Sequence, residues 1–192
     1  MRRAAPSVFV LLVVVLVTSL AAGQQPKSPY PPAQPARLAA SPTSAQRGAQ
    51  LVMLGGCNDC HTPKLQNGMP NLARTLSGQP LNAPLPPEVT GGVSANMHLT
   101  AWRGPWGMTM ARNITPDKAT GIGTWTLADF KRTLRTGVDP KGVILQPPMP
   151  IMMLQNLPDE DLEAIYNYLR TVKPIVNDTS GRTATGGKKG TQ

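Results

Sequence analysis

The sequence predicts an all-α domain in which a few helices are joined by long loops. Three segments space their apolar residues at helical intervals and carry helix start and stop signals. No stretch shows the sustained alternation of apolar and polar residues that indicates strands. Residues 62–112 are rich in Gly, Pro, Asn and Thr with scattered apolar positions, so we expect ordered loop there.

The first predicted helix begins near Ser44, because a serine hydroxyl is a suitable N-cap. It ends at Gly55-Gly56, since glycine releases the chain from a helix. Its apolar side carries Ala45, Ala49, Val52 and Met53. This helix leads directly into the segment that contains both cysteines.

The second predicted helix begins near Thr126, whose hydroxyl can cap the first turn and which Asp129 follows three residues later. It buries Phe130 and Leu134 and stops at Gly137. Its basic residues, Lys131, Arg132 and Arg135, are expected to face water.

The third predicted helix opens with Pro158 in its first turn, where proline is well tolerated. The acidic run 159–161 lies at the positive end of the helix dipole, and the helix stops before Pro174. The residues expected on its buried face are Leu162, Ile165, Tyr166 and Leu169.

The N-terminus resembles a secretory signal. Arg2 and Arg3 precede an apolar run over residues 8–20 and small residues that end at Gly23. This order predicts a signal peptide over residues 1–23 and a periplasmic or otherwise extracytoplasmic protein. The alternative is an uncleaved anchor that tethers the chain to the membrane through residues 8–22, although that run is short for a bilayer core of about 30 Å.

Composition divides the rest of the chain into three parts. Residues 24–43 contain six prolines among Ala, Gln and Ser, which predicts a disordered linker. Residues 179–192 contain Gly, Thr and Lys without periodic apolar positions, which predicts a disordered tail. The folded domain is expected over residues 44–178.

The two cysteines of the chain stand in the motif Cys57-Asn58-Asp59-Cys60-His61. Two intervening residues let both sulfurs form thioethers with the vinyl groups of one porphyrin, and the histidine that follows lies under the iron. The motif therefore predicts one covalent haem c, held by Cys57 and Cys60, with His61 as an axial ligand of the iron.

Two other interpretations of the cysteine pair are open, a thioredoxin-like redox pair and half of a zinc site. A thioredoxin-like motif lies in a βαβ unit, and no β-rich run flanks Cys57. A structural zinc usually needs four Cys or His ligands, and the only other histidine of the chain is His98. Both are weaker explanations than haem attachment.

The second axial ligand is predicted to be Met149, which stands in the sequence Gln146-Pro147-Pro148-Met149-Pro150. Prolines on both sides restrict the backbone and can hold a thioether against the iron at low entropic cost. Met152 and Met153 compete for this role, and their alternative role is core packing under the third helix. His98 is the remaining candidate, with a surface or propionate-side position as its alternative.

The surroundings of the haem offer further expectations. A backbone carbonyl should accept the Nδ1 proton of His61 and fix the plane of its ring. Asn113 and Thr115 either bond a propionate or stabilise the turn before Pro116. Trp102 and Trp106 either pack against the ring or fill a small loop core, and ordinary packing is favoured.

Charge suggests the class of partner. The formal net charge of +9 falls by two to +7 without Arg2 and Arg3, and two ionised propionates would lower it further. Export and the lack of a Lys/Arg cluster beyond Lys188-Lys189 argue against nucleic acid. An acidic redox partner protein or an anionic surface is the expected partner.

Several blocks together resemble single-haem bacterial cytochrome c domains akin to those in the cytochrome subunits of membrane-bound alcohol and aldehyde dehydrogenases. The resemblance covers about residues 45–177, and its blocks occur in the order that the family shows. The blocks are Gly56 to Pro63, Gly104 to Gly107, Asn113 to Asp117, Thr120 to Thr126, Pro147 to Pro150, Asp159 to Leu162 and Tyr168 to Arg170.

The resemblance implies an all-α cytochrome c-like fold around one covalent haem, with His61 and Met149 as axial ligands of the iron. It implies one-electron transfer without substrate turnover between redox partner proteins, for which a membrane-bound dehydrogenase or oxidase is one candidate; membership of a dehydrogenase complex does not follow from it. The dehydrogenase subunits carry several such domains, whereas this chain has one CxxCH motif.

Two alternatives to a free electron carrier follow. An open or labile sixth iron position would make the protein a haem enzyme or a gas or redox sensor, although the sequence shows no distal acid-base pair. A tightly bound cytochrome subunit of a dehydrogenase complex would share the haem chemistry and differ in partner affinity. The electron donor, the electron acceptor and the oligomeric state are encoded in no motif.

Overall fold

A computed structural model describes residues 44–179. The predicted signal peptide, the linker and all of the predicted tail except Thr179 lie outside these residues. The described part is mostly helical with one small sheet. Its helices are α1 (Ser44–Leu54), α2 (Cys57–His61), α3 (Leu127–Thr136), α4 (Ile151–Leu154) and α5 (Asp159–Leu169), and its strands are β1 (Ser94–Ala95), β2 (Ala101–Gly104) and β3 (Gly107–Met110).

The sheet corrects the all-α prediction and the expectation of loop alone over residues 62–112. It is antiparallel with the order β1-β2-β3, and Ala101 lies opposite Met110 in its longer pair. Gly104 and Gly107 close the β2-β3 hairpin around two residues, and Gly107 has a φ of 95°, which glycine adopts readily. These strands have two to four residues, too few for alternation to show in the sequence.

Helices α1 and α5 cross closely. A side chain on Gly48 would overlap the backbone carbonyl of Ala164, so only glycine permits this approach. Arg47 donates to both carboxylate oxygens of Asp161 at 3.0 and 3.1 Å and joins the same two helices at their edge. Ser44 is the first residue of α1 rather than its cap, and its hydroxyl accepts from Asn167 of α5 at 2.9 Å.

The ends of α3 follow the sequence prediction. The Thr126 hydroxyl accepts from the backbone N–H of Asp129, and the Asp129 carboxylate accepts from the backbone N–H of Thr126, which forms a capping box. Gly137 ends the helix in the left-handed conformation, with a φ of 70°. On the partner helix α5, Pro158 occupies the N-cap position.

The core lies where α1, α3 and α5 meet. Phe130 of α3 and Tyr166 of α5 pack as a tilted aromatic pair with 5.6 Å between ring centroids. The predicted burial of Tyr166 is only partial, because its hydroxyl reaches the Trp125 carbonyl at 2.9 Å. The buried cluster comprises Val52, Leu76, Ile122, Phe130, Leu134, Leu162, Ile165 and Leu169.

The structure contains no helix, among the residues that it describes, with the length and apolar character needed to cross a membrane.

Candidate haem site

Both cysteines lie on the short helix α2, which begins one turn after α1 ends. Gly56 makes the connection in the left-handed conformation with a φ of 65°. Cys57 and Cys60 are three residues apart on the helix and therefore lie on neighbouring positions of one face. Both thiols are free and half-buried, and Cys57 packs against the core cluster.

Burial keeps these thiols protonated. It raises the pKa of the Cys57 thiol to about 11 and also raises the pKa of Cys60. Each free thiol could add across one vinyl group of a porphyrin, its sulfur bonding one vinyl carbon and its hydrogen the other, so that a thioether would form.

His61 is buried at the end of α2, and its Nδ1 lies 2.7 Å from the backbone carbonyl oxygen of Arg112. Since a carbonyl only accepts, Nδ1 carries the proton and the neutral ring keeps its lone pair on Nε2. Burial lowers the pKa of His61, which favours this neutral form. Arg112 thus provides the carbonyl that the sequence predicted without identifying its residue.

Lys64 binds the segment that carries the motif, a role that the sequence analysis missed. Its Nζ donates to the backbone carbonyls of Asn58 at 3.1 Å, Asp59 at 2.8 Å and Thr62 at 2.7 Å. Carbonyls at the end of a helix lack partners within the helix and carry its negative dipole end, so an ammonium group suits them. The position of Lys64, three residues beyond α2, is the sequence signal that could have revealed it.

Loop residues hold His61 from the other side. The backbone N–H of Gly78 donates to the His61 carbonyl at 2.8 Å. Thr62 accepts from the backbone N–H of Leu76 at 2.9 Å and donates to the Asn58 side chain at 2.9 Å. The motif is therefore fixed by backbone and side-chain bonds on both sides of α2.

Met149 lies near His61 and packs, half-buried, against the core cluster. The backbone N–H of Met149 donates to the backbone carbonyl of Gln146 at 3.2 Å, and the Met149 carbonyl accepts from the backbone N–H of Ile151 at 2.9 Å. The structure thus brings together the two predicted axial ligands. The Pro147-Pro148 peptide bond that precedes Met149 is cis.

The alternative axial ligands are placed differently. The side chains of Met152 and Met153 are 80% and 76% exposed, so the predicted role in core packing is wrong for both. His98 is half-buried, and its Nδ1 lies 2.7 Å from the Lys64 carbonyl. It lines a cavity of about 680 Å³ whose lining includes neither His61 nor Met149.

Asn113 and Thr115 are committed to the turn rather than to an outside ligand. The Asn113 carbonyl group accepts from the backbone N–H and the hydroxyl of Thr115, at 3.0 and 2.7 Å. Its amide group donates to Thr120 at 3.0 Å and to the Ile175 carbonyl at 2.7 Å. The two tryptophans belong to the sheet: Trp102 donates to the Leu99 carbonyl at 3.2 Å, and the Trp106 ring lies against Gly104.

No family model matches the chain. The chain is 34% identical over 145 residues to the fructose dehydrogenase cytochrome subunit of Gluconobacter japonicus. This match covers 75% of the chain and 24% of that protein. The chain is 32% identical over 131 positions to the alcohol dehydrogenase (quinone) cytochrome c subunit of Gluconacetobacter polyoxogenes, covering 68% and 22%. The chain belongs to the bacterial cytochrome c domains akin to these subunits.

A third relative of the cytochrome c domain is the gluconate 2-dehydrogenase cytochrome c subunit of Pantoea cypripedii, 33% identical over 131 residues. That match covers 68% of the chain and 24% of the relative. The chain therefore spans less than a quarter of each of these three proteins. The relationship supports a cytochrome c fold for the mostly helical domain.

The residues present suit a c-type haem. Two free thiols share a face of α2, and the hydrogen bonds among the described residues leave Nε2 of His61 unused while fixing Nδ1. An imidazole with a free, oriented Nε2 and a nearby thioether form a donor pair that iron accepts in cytochromes.

Proposed function

We propose that this cytochrome c domain is an extracytoplasmic one-electron carrier with a single covalent haem c and His/Met axial ligation. The orientation of His61 is the observation that carries the proposal. Its Nδ1 is tied to the Arg112 carbonyl and its Nε2 is free, beside two unpaired thiols on the same short helix. A zinc ligand would be oriented by the same kind of hydrogen bond, but a structural zinc takes four ligands, and the described residues contain no cluster of three or more Cys, His, Asp or Glu that could hold a metal.

Each site residue has a defined task. Cys57 and Cys60 hold the macrocycle by thioethers, so the group is not lost in either oxidation state. His61 would supply a nitrogen ligand to the haem iron, and Met149 would supply a neutral sulfur ligand. The bound haem contributes the reversible Fe(III)/Fe(II) couple.

A positive reduction potential follows from this set of ligands. A thioether favours ferrous over ferric iron relative to a second imidazole, and burial disfavours the extra positive charge of the ferric state. The buried core cluster packed against Cys57 and Met149 excludes water from that side. Electron transfer then needs little rearrangement, because the ligands are held by backbone bonds on both sides.

Residues 1–23 fit export by a signal peptide, or anchoring through residues 8–22, and residues 24–43 would tether the domain near the membrane. Partners are redox proteins, and the names of the relatives favour a dehydrogenase. A role as cytochrome subunit of such a complex is therefore the second candidate, alongside a free shuttle. Neither role involves nucleic acid or substrate turnover by this chain.

Maturation in a host that attaches haem c tests the proposal. Haem staining after a denaturing gel should mark the wild-type protein and fail for the double variant Cys57→Ala/Cys60→Ala, which has no thiol left for a thioether, and a redox titration should give one positive one-electron step. Absence of covalent haem would refute the proposal. A high-spin spectrum that binds carbon monoxide readily would support the haem enzyme or sensor instead.

Co-purification from the native membrane separates the two carrier roles. Firm association of the full chain with a dehydrogenase in mild detergent supports the subunit role. Recovery of the protein as a free species supports the shuttle.

A further inference from the structure

Arg112 takes part in two contacts that point in different directions. Its backbone carbonyl accepts the Nδ1 proton of His61 at 2.7 Å. Its guanidinium Nη1 lies 3.4 Å from a carboxylate oxygen of Asp139. One residue therefore contacts both the proximal histidine and a turn that follows α3.

Asp139 is the organising residue of that turn. Its side chain is 3% exposed, and one carboxylate oxygen accepts from the backbone N–H groups of Lys141 at 2.9 Å and Val143 at 2.8 Å. The other oxygen faces Arg112. A buried carboxylate needs such partners, because an unpaired charge inside a protein is costly.

The turn around Asp139 leads directly to Met149. Val138 and Ile144 form an isolated antiparallel bridge, and the backbone N–H of Leu145 donates to the Gly137 carbonyl at 2.7 Å. Only residues 146–148 separate this closed turn from Met149, and two of them are prolines of restricted backbone freedom. The place of the turn therefore sets where the Met149 segment starts.

We infer that the Arg112–Asp139 ion pair positions the Met149 segment against the His61 side of the site and so stabilises the sulfur–iron bond. This inference rests on the proposed His/Met ligation. Arg112 and Asp139 are positioning residues, since neither touches the iron. Arg112 thus contacts both sides of the site. Its backbone carbonyl orients His61, and its side chain pairs with Asp139 in the turn that precedes Met149.

Imidazole competition measures this role on the matured holoprotein. Added imidazole can bind iron only where Met149 leaves it, so its apparent affinity reports the stability of the sulfur–iron bond. Asp139→Asn keeps an oxygen for the two turn N–H groups and removes the ion pair. We expect imidazole to bind this variant about tenfold more tightly, a change that corresponds to about 1.4 kcal/mol.

A second variant and a control complete the design. Arg112→Gln removes the other half of the pair and leaves its backbone carbonyl in place, and the double variant should show no further increase, since both changes remove one interaction. The control Glu88→Gln removes the exposed ion pair between Glu88 and Arg103 and changes the net charge by the same amount as Asp139→Asn. It should leave the imidazole affinity unchanged.

The outcomes separate the inference from the proposed function. If wild type shows the sulfur-to-iron near-infrared band and imidazole affinity does not change in Asp139→Asn or Arg112→Gln, the positioning role is overturned while His/Met ligation stands. If wild type lacks that band, His/Met ligation itself fails and the inference fails with it. Tighter imidazole binding in both variants, with Glu88→Gln unchanged, supports the inference.

Discussion

The carbonyl oxygen of Arg112 lies 2.7 Å from Nδ1 of His61 and determines which nitrogen of that ring keeps a lone pair. The two residues are 51 positions apart in the chain, so this bond depends on how the loops are packed. Gly78 contacts both: its N–H donates to the His61 carbonyl, and a Cβ built on it would lie 2.7 Å from the Arg112 oxygen.

Gly78→Ala should therefore displace the Arg112 carbonyl and loosen His61. The added Cβ would also lie 2.5 Å from the Ala111 oxygen, and the backbone φ of 78° disfavours any side chain. We expect a loss of at least about 2 kcal/mol in unfolding free energy and a lowered reduction potential, measured by denaturant titration and redox titration of the holoprotein.

Gly68→Ala is the matched control for Gly78→Ala. Gly68 has a similar φ of 80°, but nothing lies within 4 Å of its added Cβ. It should cost about 1 kcal/mol from backbone strain alone and leave the potential unchanged. Equal shifts in potential for the two variants would contradict the contact between Gly78 and the His61 support.

Removing the ammonium group of Lys64 should destabilise the motif. Lys64→Met keeps much of the side-chain volume but removes a donor from three carbonyls at α2 and its end, of which Asn58 keeps its bond from the Thr62 N–H. We expect a loss of about 2–3 kcal/mol in unfolding free energy, because hydrogen bonds to charged groups contribute more than neutral ones. Denaturant unfolding of Lys64→Met and of the exposed-site control Lys118→Met measures this loss. Equal stabilities of the two variants would contradict the role of Lys64.

The ion pairs of Asp159 should make stability depend on acidity. Hydrogen bonds from Arg135, then Lys131, lower the pKa of the Asp159 carboxyl below its ordinary value of 3.8. This stabilisation is therefore complete above about that pH and is lost as pH falls through the lowered, folded-state pKa. The effect is small, since the side chain of Asp159 is 64% exposed and solvent screens it.

Thermal melts of Asp159→Asn measure this dependence. The melting temperature should lie slightly below that of wild type at neutral pH, and the difference should vanish in strong acid. Glu160→Gln, the neighbour in the same helix turn, controls for the helix dipole. A difference between wild type and Asp159→Asn that persists or grows in acid would contradict the assignment.

Local signals in the sequence predicted the helices α1, α3 and α5 but not the short helices α2 and α4. The Thr126 and Asp129 capping box and the Gly137 stop depend on neighbours in sequence, and the structure confirms them. The three short strands were missed because their pairing depends on partners rather than on periodicity. Core packing is the alternative that the sequence offers for Met152 and Met153 beside iron ligation, but apolar residues are often exposed, and only the packing of α4 shows which ones are.

In the candidate site, too, the residues of a local motif could be predicted and the contacts between distant segments could not. The chemistry of Cys57, Cys60 and His61 is written in a five-residue motif, so the sequence could predict it. The sequence could not predict the contact with Arg112, because the Arg112 carbonyl lies in a loop 51 residues from His61. The role of Lys64 was missed, although its place just beyond the motif is a local signal for a side chain that folds back on carbonyls. Asn113 looked available for a ligand, yet its side-chain amide is fully used by Thr115 and Thr120 of the turn and by the Ile175 carbonyl.

The near-infrared spectrum of oxidised holoprotein, with and without Met149→Ala, tests His/Met ligation most directly. Met152→Ala and Met153→Ala are matched controls, because both methionines follow in the next turn and are exposed. The sulfur-to-iron band should be present in wild type and both controls and absent in Met149→Ala, with a lowered potential. A band that survives Met149→Ala, or disappears in a control, would show that another residue binds the iron and would contradict the account.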